Sequence, residues 1–376
     1  MLLPAMGVSL KLSYAEMGTI STVNFCGYLG AVLLCGYFTR LLGSRLLISC
    51  ALLLVGTSMV AIGFSTRVYL IMGLYFLTGV GSALSNVPIM ALIAGWFEPS
   101  LRGRAAGLVV MGNGLGIIMA GNLTPILNKM AYGWRLSWLT LGAIAVCVAV
   151  ICWFLIKNKP ADITHEAQAE ASQAMKISRA YSDLDTKGSS RLILHCGAIY
   201  FLFGFTYVIY ATFFVMSLVQ ERGMTEHEAG ALWSWIGLLS LVSGPFFGMI
   251  SDKYGRRAGL ITVFSIQMTA YGMAMTIWPL PFLYISLICF GIVAWSVPTI
   301  MAALVGDFVG PEKAAAVFGF ITFIFGFGQI AGPFCAGILA ETTYGFTASF
   351  FLAALFAGIG VMLSAGLPRI SSSPAR

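Results

Sequence analysis

The sequence predicts an all-helical, polytopic membrane protein built from two related halves. Hydrophobic residues make up 59% of the 376-residue chain and charged residues only 9%, whereas a soluble domain carries about 25% charged residues. The apolar residues form long uninterrupted runs, unlike the alternating apolar and polar residues of an outer-membrane barrel. A motif repeated at a fixed offset adds the third observation, because such repetition indicates an internal duplication.

Ten runs contain no Asp, Glu, Lys or Arg, and each exceeds the ~20 residues that a crossing helix needs. They are 17–39, 46–66, 68–97, 105–128, 136–156, 192–220, 229–251, 258–306, 314–340 and 342–368. The run 258–306 has about twice the needed length and contains Trp-Pro-Leu-Pro at 278–281, so we expect it to form two helices. We therefore predict eleven full spans. Residues 1–10 are apolar but too short to cross, and we interpret them as the end of a first span whose beginning is missing.

The repeated motif lies in a short charged connection between two runs. It reads Gly-Met-Ile-Ser-Asp-Lys-Tyr-Gly-Arg-Arg at 248–257, and a degenerate copy, Gly-Tyr-Phe-Thr-Arg-Leu-Leu-Gly-Ser-Arg, lies 212 positions earlier at 36–45. Both glycines and the final arginine coincide. The same offset pairs Gly79 with Gly291, Pro99 with Pro311, Gly107 with Gly319 and Gly116 with Gly328. The chain is therefore predicted to consist of two related halves, with the functional site between them.

The predicted organisation is an N-terminal transmembrane half at 1–157, a polar linker at 158–191, a C-terminal transmembrane half at 192–368 and a tail at 369–376. Placing the first motif copy in the cytoplasm divides the 21 Lys and Arg residues into sixteen cytoplasmic and five on the other side. Cytoplasmic connections of membrane proteins carry such an excess of basic residues. We therefore expect the linker and the C-terminus to be cytoplasmic.

Six spans per half, a central linker and the sequence Gly-x-x-x-Asp-Lys-x-Gly-Arg-Arg together resemble the major facilitator superfamily of secondary transporters. The resemblance covers nearly the whole chain, and residues 27–30 and 326–333 are similar to one bacterial branch of that family. It implies two six-helix halves related by a pseudo-two-fold axis, which rock about a site near the bilayer midplane. It also implies an N-terminally shortened permease, a symporter or antiporter, in the bacterial cytoplasmic (inner) membrane.

Four motif residues have predicted local roles. Gly248 is expected to let its helix approach a neighbour closely, and Gly255 to adopt a positive φ in a tight turn. Asp252 supplies a negative charge that a helix N-terminus would favour. Arg256 follows in the same motif and is predicted to belong, with the other three residues, to a gating latch. The family often has an arginine in the fourth helix, where this sequence has Tyr75, so a substrate-pairing cation is absent at that position.

The resemblance also implies that each motif copy abuts the start of the fifth helix of the opposite half. We therefore hypothesise two cytoplasmic latches of opposite polarity. One pairs Asp252 with Arg102 or Arg104, and the other pairs Arg40, at the acidic position of the first copy, with Glu312. The alternative is that Arg40 is only a topology-determining basic residue.

Small and aromatic residues follow helical spacing in three predicted helices. Gly112-x-x-x-Gly116 and Gly328-x-x-x-Gly332 are small-residue faces that predict close helix packing. The seventh helix carries one stripe of rings at steps of three and four: Tyr200, Phe203, Tyr207, Tyr210 and Phe214. The stripe is interpreted either as a packing or lipid-facing surface or as a cavity wall.

Uncharged polar and aromatic residues within the spans are the candidates for a substrate cavity. They are Asn24, Tyr28, Asn86, Asn113, Tyr207, Tyr210, Trp295 and Gln329. Because a side-chain amide in hydrocarbon needs a partner, the default interpretation of each amide is a link between helices, and contact with a solute is the alternative. His195 lies four residues past Arg191, which favours a position at the membrane interface or a role in proton handling.

The sequence thus predicts secondary active transport of a small organic solute by alternating access, with a monocarboxylate or an aromatic metabolite as the solute. We expect a monomer in the lipid bilayer, no nucleic-acid partner, no cofactor, no metal and no enzymatic activity, since the sequence has no nucleotide-binding loop and no metal-ligand spacing among its cysteines. Two alternatives stay open: a membrane sensor or receptor on a transporter fold, and an inactive truncated transporter. An intramembrane enzyme would need a nucleophile with a base, or metal ligands, inside the spans.

Overall fold

The computed structural model describes residues 2–96, 99–130, 132–158, 187–309, 311–342 and 344–368. These residues form helices and no strand: α1 (Leu3–Leu10), α2 (Tyr14–Phe64), α3 (Val68–Trp96), α4 (Pro99–Asn128), α5 (Trp134–Leu155), α6 (Lys187–Gln220), α7 (Glu226–Tyr254), α8 (Arg256–Ala274), α9 (Leu280–Val293), α10 (Ser296–Val309), α11 (Pro311–Ala340) and α12 (Gly345–Ala365). The predicted all-helical class is confirmed. Within the described ranges, nine helical segments are long and apolar enough to cross a membrane, and the count of eleven spans stays a prediction.

The helix α2 contains two of these segments, Tyr14–Thr39 and Leu41–Phe64, which meet at a turn. The turn residue is Gly43, with φ 75° and ψ 156°. In the second half of the chain Gly255 has φ 93° and ψ 150° and separates α7 from α8. A side chain is poorly tolerated in this backbone region, because its Cβ would clash. The second glycine of each motif copy therefore turns the chain between two spans.

The duplication extends to every positive φ among the described residues. Six residues have this conformation, and they form three pairs separated by 212 positions: Lys11 with Gly223, Gly43 with Gly255, and Gly133 with Gly345. Backbone conformations that L-residues rarely adopt thus recur at equivalent places. The duplication that the sequence predicted is present in the course of the backbone itself.

The arginine that ends each motif copy also makes equivalent contacts. Arg45 donates from Nε to the carbonyl oxygen of Trp153 at 2.7 Å, near the end of α5. Arg257 donates from Nη1 to the carbonyl oxygen of Leu367 at 3.4 Å, just past the end of α12. The last carbonyls of a helix have no partner inside the helix, and the carbonyl of Trp153 is one of them. Each arginine thus ties its turn to the last helix of its own half or to the residue just beyond that helix.

The described contacts divide the chain into two compact units. Unit 1 comprises Met1–Asp162, Val215–Ser234 and Pro333–Thr343, and unit 2 comprises Ile163–Phe214, Trp235–Gly332 and Tyr344–Arg376. Parts of α6, α7 and α11 thus belong to unit 1, so the units differ from the predicted halves at 1–157 and 192–368. Those halves concern chain order and stay a prediction. The linker between 159 and 186 and the tail from 369 lie outside the described residues.

The short helix α1 packs in unit 1 through Met6. This side chain is 1% exposed and lies in an apolar cluster with Ile62, Ile71, Trp134 and Trp138. The indole nitrogen of Trp138 donates to the sulfur of Met6 at 3.3 Å. Met6 therefore places α1 against the folded core of unit 1.

Lys11, at the C-terminal end of α1, is expected to carry backbone strain. It has φ 53° and ψ 45°, and its counterpart in the duplication is Gly223. Because a left-handed conformation costs an L-residue about 1 kcal/mol, we expect Lys11→Gly to raise the thermal stability of the purified protein. Lys11→Ala removes the charge but keeps the Cβ, so it should not raise stability. A similar gain in both variants would attribute the effect to the charge instead.

Candidate functional site

Three of the eight predicted cavity residues come together in unit 2. Gln329 on α11 donates from Nε2 to the hydroxyl of Tyr207 on α6 at 2.6 Å. The ring centroid of Tyr207 lies 6.2 Å from that of Trp295, edge to face. Gln329 is buried, whereas Tyr207 and Trp295 are half-buried. We call Tyr207, Trp295 and Gln329 the polar cluster.

Glycines bring α6 and α11 close enough for this hydrogen bond. A Cβ on Gly204 would lie 2.5 Å from the carbonyl oxygen of Phe325, and a Cβ on Gly328 would lie 2.2 Å from that of Phe201. A Cβ on Gly332 would lie 2.4 Å from the carbonyl oxygen of Phe205. The two backbones are thus in direct contact, and the close packing predicted for Gly328 and Gly332 is confirmed.

Aromatic rings surround the polar cluster on the α6 and α11 side. Tyr207 stacks on Phe203 with centroids 4.9 Å apart, and its ring is nearly parallel to that of Phe325 at 6.0 Å. Tyr200 also stacks on Phe325, with the two ring centroids 4.5 Å apart. Three members of the predicted stripe therefore form one stack with a ring from α11. The tyrosine that Gln329 binds is thus held among aromatic rings.

The third member of the cluster, Trp295, lies where a membrane-spanning segment is broken. The segment Leu280–Val305 is long enough to cross, yet α9 ends at Val293 and α10 begins at Ser296. Pro298 has no N–H to donate to the carbonyl of residue 294, which favours a break there. In a bilayer, interrupted helices are tolerated where the backbone is buried in protein or lines a cavity.

Two serines hold the break in place. The backbone N–H of Trp295 donates to the hydroxyl of Ser243 on α7 at 3.1 Å, and the hydroxyl of Ser296 donates to the carbonyl of Ser243 at 3.0 Å. The indole Nε1 of Trp295 is buried and has no hydrogen-bond partner among the described residues. The break predicted at 278–281 is confirmed by the gap between α8 and α9. The break between α9 and α10 was not predicted, although the Ser-Val-Pro at 296–298 was an available signal.

Ser243→Ala is expected to destabilise the backbone at the break between α9 and α10. It would leave the N–H of Trp295 without its acceptor, which we expect to lower the free energy of unfolding by about 1–2 kcal/mol. Ser240, one turn earlier, is a matched control because its hydroxyl donates to the carbonyl of Gly237 within the same helix. Ser240→Ala should stay within about 0.5 kcal/mol of the parent. Denaturation in detergent measures both, and equal losses would contradict the role assigned to Ser243.

Tyr210, one turn beyond Tyr207, lies in the core of unit 2 and is fully buried. Its hydroxyl shares a hydrogen bond of 2.9 Å with Ser286, and its ring stacks on Phe290 at 4.1 Å and on Phe214 at 4.7 Å. A fully buried side chain offers no surface to a solute. The stripe therefore divides along its length, and Tyr210 and Phe214 serve helix packing.

The candidates of the N-terminal half lie in unit 1. Asn24 donates from Nδ2 to the carbonyl oxygen of Tyr75 at 2.9 Å, so its amide links α2 to α3. Tyr28, one turn later on α2, is half-buried, whereas Asn86 on α3 and Asn113 on α4 are exposed. The structure thus assigns Asn24 the linking role that the sequence left open as one of two interpretations.

The second predicted small-residue face behaves differently. Gly112 and Gly116 are exposed, and a Cβ on either would meet no other described atom within 4 Å. The prediction that they pack closely is therefore wrong for this structure. Gly121 on the same helix makes the contact instead, because its Cβ would lie 2.6 Å from the carbonyl oxygen of Gly230 on α7. Sequence spacing identified the helix but not the facing residues.

The charged motif forms an ion-pair network within unit 2. Arg256 pairs with Asp252 one turn earlier and, through Nε, with Asp307 near the end of α10 at 2.8 Å. Its Nη1 also donates to the hydroxyl of Ser251 at 2.9 Å. Asp307 was missed by the sequence analysis, because a lone carboxylate at the end of a run carries no motif. The side chains of the proposed latch partners lie outside the described part of the chain: Arg40, Arg102, Arg104 and Glu312.

Two further predicted residues have defined neighbours. A Cβ on Gly248 would lie 3.5 Å from Cγ2 of Thr299, an ordinary contact distance. His195 lies 2.7 Å, through Nε2, from the carbonyl oxygen of Leu363 near the end of α12. Because a carbonyl only accepts, Nε2 carries the proton. His195 therefore donates to one of the last carbonyls of α12, and its role in proton handling stays a prediction.

Comparisons with known proteins agree with this architecture. The family described as "Uncharacterised MFS-type transporter YbfB" matches residues 1–365. The chain is 25% identical to the hexuronate transporter of Bacillus subtilis (strain 168), covering 94% of this chain and 86% of that protein. It is 26% identical to monocarboxylate transporter 2 of Mesocricetus auratus, covering 88% and 71%.

Two solved structures share the fold. A bacterial homologue of the human lysosomal transporter Spinster, in an inward-facing and unoccupied conformation, has a TM-score of 0.77 and covers 96% of this chain and 91% of its own, at 15% identity. A point mutant of the nucleoside transporter NupG has a TM-score of 0.74 and covers 96% and 92%, also at 15% identity.

Proposed function

This chain belongs to the family of MFS-type transporters and moves a solute across a membrane, and from that premise we propose that the solute is a small organic monocarboxylate with an apolar or aromatic body. The two curated relatives named above act on hexuronate and on monocarboxylates, and both are carboxylates. The polar cluster supports this substrate class independently of the relatives.

One observation carries the proposal: the polar cluster joins uncharged hydrogen-bond donors to the start of a helix within a membrane-spanning segment. The buried indole N–H of Trp295 has no partner among the described residues, and α10 begins at the next residue. The N-terminus of a helix carries a partial positive charge, and interrupted helices use it to bind anionic groups of substrates. The stacked rings around Tyr207 would contact an apolar body.

A single carboxylate suits these groups better than a polyvalent anion does. The cluster offers amide, indole and hydroxyl groups but no cationic side chain. Desolvating several charges without a cation is costly, whereas one carboxylate needs only a few donors. We propose that Tyr28, Asn86 and Asn113 of the N-terminal half line the same pathway. Alternating access would expose the cluster to each side in turn.

We further propose that the protein works as a monomer in the bacterial cytoplasmic membrane, with the linker and C-terminus in the cytoplasm. The excess of Lys and Arg on that side supports this orientation. The network of Arg256 with Asp252 and Asp307 would stabilise the cytoplasmic turn between α7 and α8. The two latches, Asp252 with Arg102 or Arg104 and Arg40 with Glu312, would act at the same membrane surface.

Uptake into proteoliposomes tests the proposed substrate. The full chain would be reconstituted and offered radiolabelled benzoate, lactate, succinate and benzamide, with and without an inward proton gradient. We expect saturable uptake of a monocarboxylate, little uptake of the dicarboxylate, and none of the neutral amide beyond protein-free liposomes. Saturable uptake of benzamide alone, or of succinate in preference to both monocarboxylates, would contradict the proposal.

A further inference from the structure

A second set of contacts lies in unit 1, at the end of the first span of α2 that is opposite the Gly43 turn. There the last turns of α11 cross the first turns of α2. A Cβ on Gly18 would lie 2.5 Å from the carbonyl oxygen of Pro333, and a Cβ on Gly337 would lie 2.9 Å from that of Tyr14. We call this backbone contact between α2 and α11 the first seam.

The duplication creates a second, equivalent contact in the same unit. Adding 212 to Gly18 gives Gly230, and subtracting 212 from Pro333 gives Gly121. A Cβ on Gly121 would lie 2.6 Å from the carbonyl oxygen of Gly230, so the same two positions meet again between α4 and α7. We call this contact the second seam. Each seam joins residues far apart in sequence.

The helix that enters each seam is capped by its own residues. Ser13 and Glu16 form a capping box at the start of α2, and the equivalent Thr225 and Glu228 exchange the same hydrogen bonds at the start of α7. These bonds satisfy the first free N–H groups locally. They lie within one helix and therefore do not hold the seams.

A hydrogen bond to a carboxylate crosses the first seam. Oε1 of Glu341, just past the end of α11, accepts the backbone N–H of Ala15 in the first turn of α2 at 3.1 Å. A carboxylate at a helix N-terminus is favoured by the free N–H groups and the helix dipole, and a hydrogen bond to an ionised acceptor is stronger than a neutral one. One charged group thus joins the two helices.

The second seam cannot repeat this arrangement. The position equivalent to Glu341 is Lys129, whose side chain has no hydrogen-bond acceptor. In the second seam the neighbouring residue Asn128 makes the polar contacts instead. Its Nδ2 donates to Oε2 of Glu226 at 2.6 Å, and its Oδ1 accepts the hydroxyl of Ser137 at 2.8 Å. Both seams therefore have the same backbone contact, as the duplication predicts, but different polar side chains join the two helices in each seam.

We propose that Glu341 is a positioning residue that holds the first seam closed by binding the N-terminus of α2. Opening this end of unit 1 requires the Ala15 N–H to exchange the carboxylate for water, so Glu341 stabilises the closed form over the open one. The seam is a property of the fold whatever the solute, so this inference goes beyond the proposed function.

Hydrogen–deuterium exchange of the full chain in nanodiscs tests this proposal without a substrate. Glu341→Gln keeps the size of the side chain and removes its charge. We expect exchange in peptides covering 14–20 and 335–341 to become about five- to ten-fold faster, with the second seam at 226–234 much less affected. Glu16→Gln, at the same helix start, should speed exchange at 13–17 and leave 335–341 unchanged. Unchanged exchange in Glu341→Gln, or the same pattern in both variants, would overturn the proposal.

Two glycine-to-valine variants test independently how opening the first seam changes the rate of hydrogen–deuterium exchange. Gly337→Val places a side chain against the Tyr14 carbonyl, whereas Gly319→Val on the same helix meets no other described atom within 4 Å. We expect Gly337→Val to reproduce the Glu341→Gln pattern at 14–20 and Gly319→Val to match the parent. If Gly337→Val exposes the same peptides but Glu341→Gln does not, the seam exists and Glu341 does not hold it.

Discussion

Gly79→Val is expected to remove most of the folded transporter from the membrane. A Cβ at this position would lie 2.0 Å from the carbonyl oxygen of Asn24 and 3.0 Å from the backbone nitrogen of Tyr28. Both are backbone atoms, so no side-chain rotation relieves the overlap. The helices α2 and α3 would have to separate, which would also break the hydrogen bond from Asn24 to Tyr75. Overpacking of this kind costs several kcal/mol, a large part of the stability of a typical domain.

Gly73→Val is the matched control for this prediction. Gly73 lies on α3 less than two turns before Gly79, is exposed, and would meet no other described atom within 4 Å. Both variants introduce the same β-branched residue into the same helix, so they differ only in what the side chain meets. Size-exclusion chromatography of a fluorescent fusion gives the amount of monodisperse protein. We expect Gly79→Val to lower the amount of monodisperse protein at least ten-fold and Gly73→Val to leave it near that of the parent. Similar amounts for the two variants would show that folding does not need the close approach of α2 to α3 at Gly79.

Gln329→Leu is expected to abolish most transport while leaving the protein folded. The side chain is 6% exposed, so leucine fits by size and burial, and the hydrogen bond to Tyr207 is lost. Removing a buried hydrogen-bond partner costs about 1–3 kcal/mol. If that energy orients Tyr207 toward a bound solute, uptake at low substrate concentration should fall about ten- to a hundred-fold. The apparent KM should rise more than the maximal rate falls.

A second buried glutamine provides the control for this substitution. Gln267 on α8 is fully buried, and neither its Oε1 nor its Nε2 has a hydrogen-bond partner among the described residues. Gln267→Leu therefore removes unsatisfied polar atoms, and we expect unchanged uptake with equal or higher thermal stability. Loss of stability in Gln329→Leu without a change in KM would reduce Gln329 to a link between α6 and α11 and would remove it from the proposed solute site.

Local chemistry made several features predictable. Gly255 was expected to have a positive φ because a tight turn between two spans needs a residue without Cβ, and Gly43 repeats it 212 positions earlier. The break at 278–281 followed from two prolines. Gly328 and Gly332 were expected to pack closely, and they do, because small residues at a spacing of four lie on one helix face.

Other features depended on which way each helix faces. Tyr207 and Tyr210 are three residues apart and equivalent by periodicity, yet one is half-buried in the polar cluster and the other is fully buried against Phe290. Likewise Gly121 makes the close contact that was expected of Gly112 and Gly116. A helix that is apolar all round gives no amphipathic signal for its orientation, so spacing alone could not separate these residues.

The sequence by itself determined that this protein is a helical membrane transporter with a duplicated chain, because hydropathy, charge and turn residues act locally and are read in order along the chain. Only the tertiary structure decided that Gln329 meets Tyr207 beside Trp295 and that Glu341 reaches Ala15, 326 residues away. Contacts of that kind depend on how helices that are similarly apolar on every side pack together, which hydropathy and local turn signals do not encode.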